Sequence, residues 1–205
     1  LVSFHKMAPF IATLALMSIV RGLGFIFSKG APVLVSEKAS ALTDFGSGSF
    51  LGLPNPAYIL LLTFAVTAVF LKYNVFGRIV IAIGSNEEAV RLSGIKTAAY
   101  KFSVYAIGGS LSAVAGIITT ARTAVGSPVM GMGMELDVIA TVVIGGASLS
   151  GGKGSAINTL LGVLILGMIG NIMNLMNIPA YSQQVIKGLI IILAVLLQRF
   201  QIRAE

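Results

Sequence analysis

The side chains able to do chemistry fall in three places. Glu87, Glu88 and Arg91 belong to a charged island, Gly84-Ser85-Asn86-Glu87-Glu88-Ala89-Val90-Arg91-Leu92-Ser93-Gly94-Ile95, in an otherwise oily sequence. Glu135 and Asp137 open an apolar segment that ends in Gly145-Gly146. Asn171 and Asn174 stand at i and i+3 of a further apolar run, the spacing that shares one helix face. None of these groups pairs a nucleophile with a base, so the chain is not read as an enzyme. His5 is the lone histidine and cysteine is absent, which excludes a histidine-rich or thiolate metal site and any disulfide. The glycines near Lys153 imitate a nucleotide loop without being one. Such a loop needs Gly-x4-Gly-Lys-Ser/Thr after a strand; here Gly151 is followed by Gly152, and Lys153 by Gly154. Gly145, Gly146, Gly151 and Gly152 are read instead as allowing a sharp turn and close helix packing. Met130, Met132, Met134, Met168, Met173 and Met176 fit adaptable packing better than soft-metal binding. What remains is polar recognition.

The island has the marks of a short helix. Ser85 or Asn86 can cap its start by accepting an orphan backbone N–H. Glu87 and Glu88 fall in the first turn, where the helix dipole favours negative charge. Gly94 stands where a left-handed residue closes a helix, with Ile95 placed for the accompanying hydrophobic contact. Between those caps lie about two turns, too few to be stable alone in water. A neighbour must hold it, and the island is read as the handle by which a membrane protein receives force from a soluble partner.

The elements around it are built for lipid. Of 205 residues, 56% are hydrophobic and 10% charged, with a mean hydropathy of +0.96. A soluble domain carries about 25% charged residues. The expected fold is therefore all-α, a polytopic helical membrane protein. Apolar runs at Ala8–Phe27, Ala57–Leu71, Ala98–Ala121, Ala156–Met176 and Gln184–Arg199 approach the ~20 residues that span a bilayer. Lys29–Pro56 reads as an irregular Gly/Ser/Pro-rich connector. Gly108, Gly109, Ser110, Ser112 and Gly116 seed the third run with small residues that let helices approach. Arg21 either snorkels to the interface or pairs within the bundle. Met134–Ser148 is too short for a comfortable lipid-facing span and is expected to be broken or interior. That makes about six membrane segments in a single domain over 1–205, with the charged loop at 77–97 and the broken segment with its Gly-rich turn at 131–155. Placing both termini and the island on one side gives that side Lys6, Lys72, Arg78, Arg91, Lys96, Lys101, Lys153, Arg199 and Arg203. The other collects only Arg21, Lys29, Lys38, Arg122 and Lys187, so the island and both termini are read as cytoplasmic. The excess of Lys and Arg, 14 against 7 acids, reflects cytoplasmic loops and anionic membrane lipid rather than nucleic acid. Leu1-Val2-Ser3 carries no initiator Met, and the chain is expected to be part of a longer one.

Ile83 through Ile95 resembles the cytoplasmic loop of ribose-type sugar permeases of bacterial ATP-binding cassette importers, with Ser85 in place of the family's second Gly. Gly131 through Gly154, including Glu135-Leu136-Asp137 and Gly145-Gly146-Ala147-Ser148-Leu149-Ser150-Gly151-Gly152, resembles a second family block. Met134 there replaces an aromatic, Thr141 an Ala, and Ala147 a Thr. The likeness covers nearly the whole chain, although members usually carry additional N-terminal spans.

The resemblance implies import of a monosaccharide such as ribose across the bacterial cytoplasmic (inner) membrane. It also implies partners: ATPase subunits that hold ATP and magnesium, a second permease copy or homologue, and an extracytoplasmic sugar-binding protein. This chain would bind no cofactor. Gly84, Asn86, Glu87, Glu88, Arg91, Leu92, Ser93, Gly94 and Ile95 would form the coupling helix, with the charges at the rim of an ATPase groove and Leu92 and Ile95 as its apolar anchor. Glu135 and Asp137 either cap the helix that follows them or act as gate or docking elements at the external mouth. Thr141, Asn171 and Asn174 are candidates for the wall of a hydrated path, or, for the asparagines, for interhelical hydrogen bonds. Branched-chain amino acid and autoinducer permeases of the same superfamily share the plan. An ion-coupled secondary transporter would need a mid-span carboxylate, whereas the acids here stand at or near span ends.

Overall fold

The computed structural model describes residues 2–5 and 7–204. Lys6, counted above for orientation, lies outside the described residues, as do the side chains of Arg199 and Arg203. In chain order the elements are α1 (Val2–His5), α2 (Pro9–Ser28), β1 (Val33–Leu34), a 3-10 turn (Glu37–Ala39), α3 (Ser40–Ser47), β2 (Ser49–Phe50) and β3 (Leu53–Pro54). There follow α4 (Asn55–Tyr73), α5 (Val75–Leu92), α6 (Thr97–Thr123), β4 (Val125–Gly126), α7 (Met134–Ile144), α8 (Ala156–Leu175) and α9 (Ala180–Ala204). The architecture is all-α and polytopic. Among the described residues four helices, α2, α4, α6 and α8, are long and apolar enough to cross a membrane. The apolar part of α9, Ala180–Ala194, is shorter.

Side-chain burial runs opposite to that of a water-soluble domain. The buried apolar residues are Ala12, Ala121, Ala140, Val143, Ala156 and Met173, mostly small, while long aliphatics such as Leu62, Leu164 and Ile192 face outward. Lipid solvates leucine as well as a protein core does, so helices gain by bringing small residues together and leaving large ones outside.

The chain divides into two compact units. The first comprises Leu1–Thr63 and Arg91–Gly131. In it α3 lies on α6, and a Cβ added to Gly46 would run into the Ala121 backbone. β1 pairs antiparallel with β4, Val33 opposite Gly126, and β2 with β3. The connector is thus more ordered than its composition implied. Ser36 caps the 3-10 turn, Asn55 Nδ2 donates to the Phe45 carbonyl at 3.0 Å, and the Tyr58 hydroxyl donates to the Phe50 carbonyl at 2.6 Å. Tertiary bonds from the start of α4 organise what Gly and Ser alone would leave irregular. The small residues Gly108, Gly109 and Gly116 of α6 have open space beside them, so the close packing expected there is not made among the described residues.

The second unit comprises Phe64–Val90 and Met132–Glu205. Here α7 packs on α8 and α9. A Cβ on Gly145 would lie 2.7 Å from the Asn158 carbonyl oxygen, and one on Gly162 would run into that of Thr141. These two contacts fix α7 and α8 as antiparallel, backbone against backbone. With 11 residues, α7 reaches only ~16 Å, about half of a ~30 Å hydrocarbon core. The segment expected to be short and interior is a half-length helix.

Candidate functional site

The island is not a loop but the far end of α5. That helix breaks at Asn86, whose backbone is extended (φ −155°, ψ 93°). Its side chain does what an N-cap does: Asn86 Oδ1 accepts the Ala89 N–H at 3.0 Å. Glu87 and Glu88 follow in the first turn, exposed. The helix closes at Leu92, and Gly94 takes the left-handed conformation (φ +83°) while its N–H donates to the Arg91 carbonyl at 3.0 Å. Leu92 is 78% exposed, a long aliphatic left largely open at the helix end. Ser93 is exposed and Ile95 half-buried. Both caps therefore fall where the residue types put them. The helix before the cap, Val75 to Ser85, is divided from it by the kink at Asn86 and was not foreseen as helical.

Immediately before the break the chain is gripped by the Gly-rich turn. A Cβ on Gly84 would lie 2.5 Å from the Gly152 amide nitrogen, and one on Gly151 would lie 2.7 Å from the Gly84 carbonyl oxygen. On Gly152 it would run into the Ser85 hydroxyl. Gly151 and Gly152 are left-handed (φ +91° and +76°), which a side chain disfavours on its own account. The Ser148 N–H donates to the Lys153 carbonyl at 3.0 Å and closes the turn. Gly145 serves helix packing and Gly146, with φ +77° and open space around it, serves the turn alone. Four glycines thus do two jobs, and the grip on Gly84 and Ser85 was not legible from either block separately.

The other end of α7 carries a polar cluster. Lys187 Nζ and Asp137 Oδ2 lie 2.7 Å apart, with side chains 32% and 40% exposed. Asn174 Oδ1 accepts from Gln183 Nε2 at 2.9 Å, and the same nitrogen donates to the Ile178 carbonyl at 2.9 Å. Thr141 turns its hydroxyl back to the Asp137 carbonyl at 2.7 Å, so it satisfies its own helix. Asn171 is exposed on α8, and Glu135 is half-buried in the first turn of α7. The contacts of Gly145 with Asn158 and Thr159, and of Gly162 with Thr141, set the register of α7 on α8. Carried one turn on, that register brings Asp137 level with Ile165–Gly167, the middle of α8. Asp137 stands in the first turn of α7, at the start of its own segment as the sequence reading had it, and that segment starts level with the middle of its neighbour. A half-length helix starts halfway.

Comparison with known proteins bears on what this arrangement belongs to. Residues 1–195 match the family described as branched-chain amino acid transport system / permease component. The chain belongs to this permease family. Among its relatives, the ribose import permease protein of Bacillus subtilis is 46% identical over 199 residues, covering 97% of this chain and 62% of that protein. The ribose import permease protein of Escherichia coli is 42% identical over 198 residues, 96% of this chain and 62% of that one. The L-arabinose ABC transporter permease protein of Azospirillum brasilense is 38% identical over 201 residues, 98% of this chain and 59% of that one. The chain thus spans about three fifths of the length of these curated relatives. No solved structure matches. The chain is a multi-pass membrane protein of a permease family.

For this permease, reasoning from sequence missed Lys187 and Gln183 as partners of Asp137 and Asn174. A signal was present. Gln183 and Lys187 stand at i and i+4 of an apolar helix, so they share a face that lipid alone would not select.

Proposed function

We propose that this chain forms part of the translocation path for a monosaccharide of the ribose type in the bacterial inner membrane, with the island cytoplasmic. ATP and magnesium belong to separate ATPase subunits, an extracytoplasmic binding protein delivers the sugar, and a second permease copy or homologue completes the path. The observation that carries the reading is the capped helix Glu87–Leu92 after the Asn86 break, exposed and ending in a bare Leu92. A stiff, short element outside the apolar spans suits a handle that a soluble subunit grips, with Glu87, Glu88 and Arg91 at the rim and Leu92 as anchor. The close contact of Gly84 and Ser85 with Gly151 and Gly152 gives that handle a route inward, because displacement of α5 bears directly on the turn that ends in α8 and begins at α7. Names of relatives favour ribose, with L-arabinose next. The family description favours a branched-chain amino acid instead, and uptake of labelled D-ribose against labelled leucine separates the two. A cation-coupled mechanism is disfavoured, since Lys187 Nζ already occupies the place at Asp137 where a coupling ion would sit.

The test is charge reversal, Glu87→Lys with Glu88→Lys, in the full-length permease. Co-purification of the ATPase subunit and D-ribose uptake should both fall while the amount of protein inserted in the membrane stays the same. Undiminished uptake by the double variant would refute the docking role.

A further inference from the structure

We propose that Asp137 and Lys187 form a polar ledge at mid-depth in the translocation path, on which hydroxyl groups of the passing sugar are exchanged. This rests on the sugar-permease reading above and assigns it a site.

Three observations converge. The pair lies level with the middle of α8, a helix long and apolar enough to cross the membrane. At about 15 Å from either end of that helix, neither side chain belongs to the interface. Both side chains nonetheless keep about a third of their surface open beyond each other. An ion pair left open to hydrocarbon at that depth is strongly disfavoured, so its open side faces water or protein. Finally, the polar groups do not stop at the pair. Gln183 stands one helical turn from Lys187 on the same face of α9, bonded to Asn174 of α8. Together they make a short polar track running from the ledge toward the end of α8.

The chemistry of the pair suits a neutral polyol. Each sugar hydroxyl is at once donor and acceptor. The Lys187 ammonium has three N–H donors and the Asp137 carboxylate only acceptor sites, so a hydroxyl can accept from one and donate to the other. The pair has no net charge, and a neutral solute needs no counter-ion to pass it.

The test uses the full-length permease, freed of any cysteines, reconstituted in vesicles with its ATPase subunit and sugar-binding protein. This chain contributes no cysteine of its own. Single variants Lys187→Cys and Gln183→Cys are treated with a membrane-impermeant cationic methanethiosulfonate. Gln183→Cys leaves the ion pair intact and serves if Lys187→Cys does not fold. Leu164→Cys, outward-facing on α8 at similar depth, is the reference for a lipid-exposed thiol. Labelling at 183 and 187 should be about tenfold or more faster than at 164, and slowed severalfold during ATP-driven uptake of D-ribose. Rates no faster than at 164 would place the pair in lipid and overturn the proposal. Spontaneous cross-linking between two copies through position 187, with no labelling, would make it a subunit interface and overturn it equally. Fast labelling indifferent to D-ribose would remove the sugar contact. The wider reading fails differently, by absence of D-ribose accumulation with the unsubstituted permease.

Discussion

Replacing Gly152 by alanine tests the grip of the Gly-rich turn on α5. Two effects add. The left-handed backbone at this position (φ +76°) disfavours an L-residue by about 1–2 kcal/mol. The new methyl group then meets the Ser85 hydroxyl and lies 2.8 Å from the Ser85 Cα and 3.0 Å from its nitrogen. Two of those neighbours are backbone and cannot swing aside, so overpacking adds about 1–3 kcal/mol. Gly146→Ala isolates the first effect, because its φ is +77° and nothing lies within 4 Å. The difference between the variants is then the contact alone. For a protein of this size about 1 kcal/mol moves the melting temperature by about 2–4 °C, so Gly152→Ala should melt about 2–12 °C below Gly146→Ala. The assay is heating the full-length permease in mild detergent and following the surviving monodisperse peak by size-exclusion chromatography. Adding Ser85→Gly to Gly152→Ala should recover part of the loss by removing the hydroxyl. Equal melting of the two alanine variants would refute the argument, since it would mean that α5 and the turn do not touch.

Asn86→Ala should release the start of the island helix, at about 0.5–2 kcal/mol, and speed hydrogen exchange at the Ala89 amide by about 2- to 30-fold; Asn86→Asp should leave it protected. In α8, Gly162→Ala should destabilise by about 1–3 kcal/mol because its methyl would strike the Thr141 carbonyl. Gly167→Ala, with open space around it, should instead stabilise by about 0.5–1 kcal/mol through the helix-forming advantage of alanine. Opposite signs for the two in the same melting assay are the expected result.

What the sequence made legible is what local chemistry decides. The apolar runs became helices within a few residues of their expected ends: Ala8–Phe27 as Pro9–Ser28, Ala98–Ala121 as Thr97–Thr123. Both island caps were readable because Asn86 and Gly94 act on backbone groups three residues away. Less readable was anything that depends on two distant stretches meeting. The helix α3 in the connector needs Ala121 against Gly46. Lys187 carries no local sign that its partner lies on α7. The depth of Asp137 follows only from the register of α7 on α8, which the glycine seam sets and a hydropathy profile does not contain.

The smallness of the buried residues has a further consequence for how this molecule tolerates change. Where tails of lipid serve as solvent, swapping one bulky aliphatic for another on the outer surface alters almost nothing, since the surrounding liquid rearranges to fit. A single extra carbon at Gly46, Gly145 or Gly162 has no such freedom, because backbone stands on the far side. Random substitution in this permease should therefore be silent at its largest side chains and damaging at the small ones that meet backbone, the reverse of the pattern in a protein folded around a greasy centre.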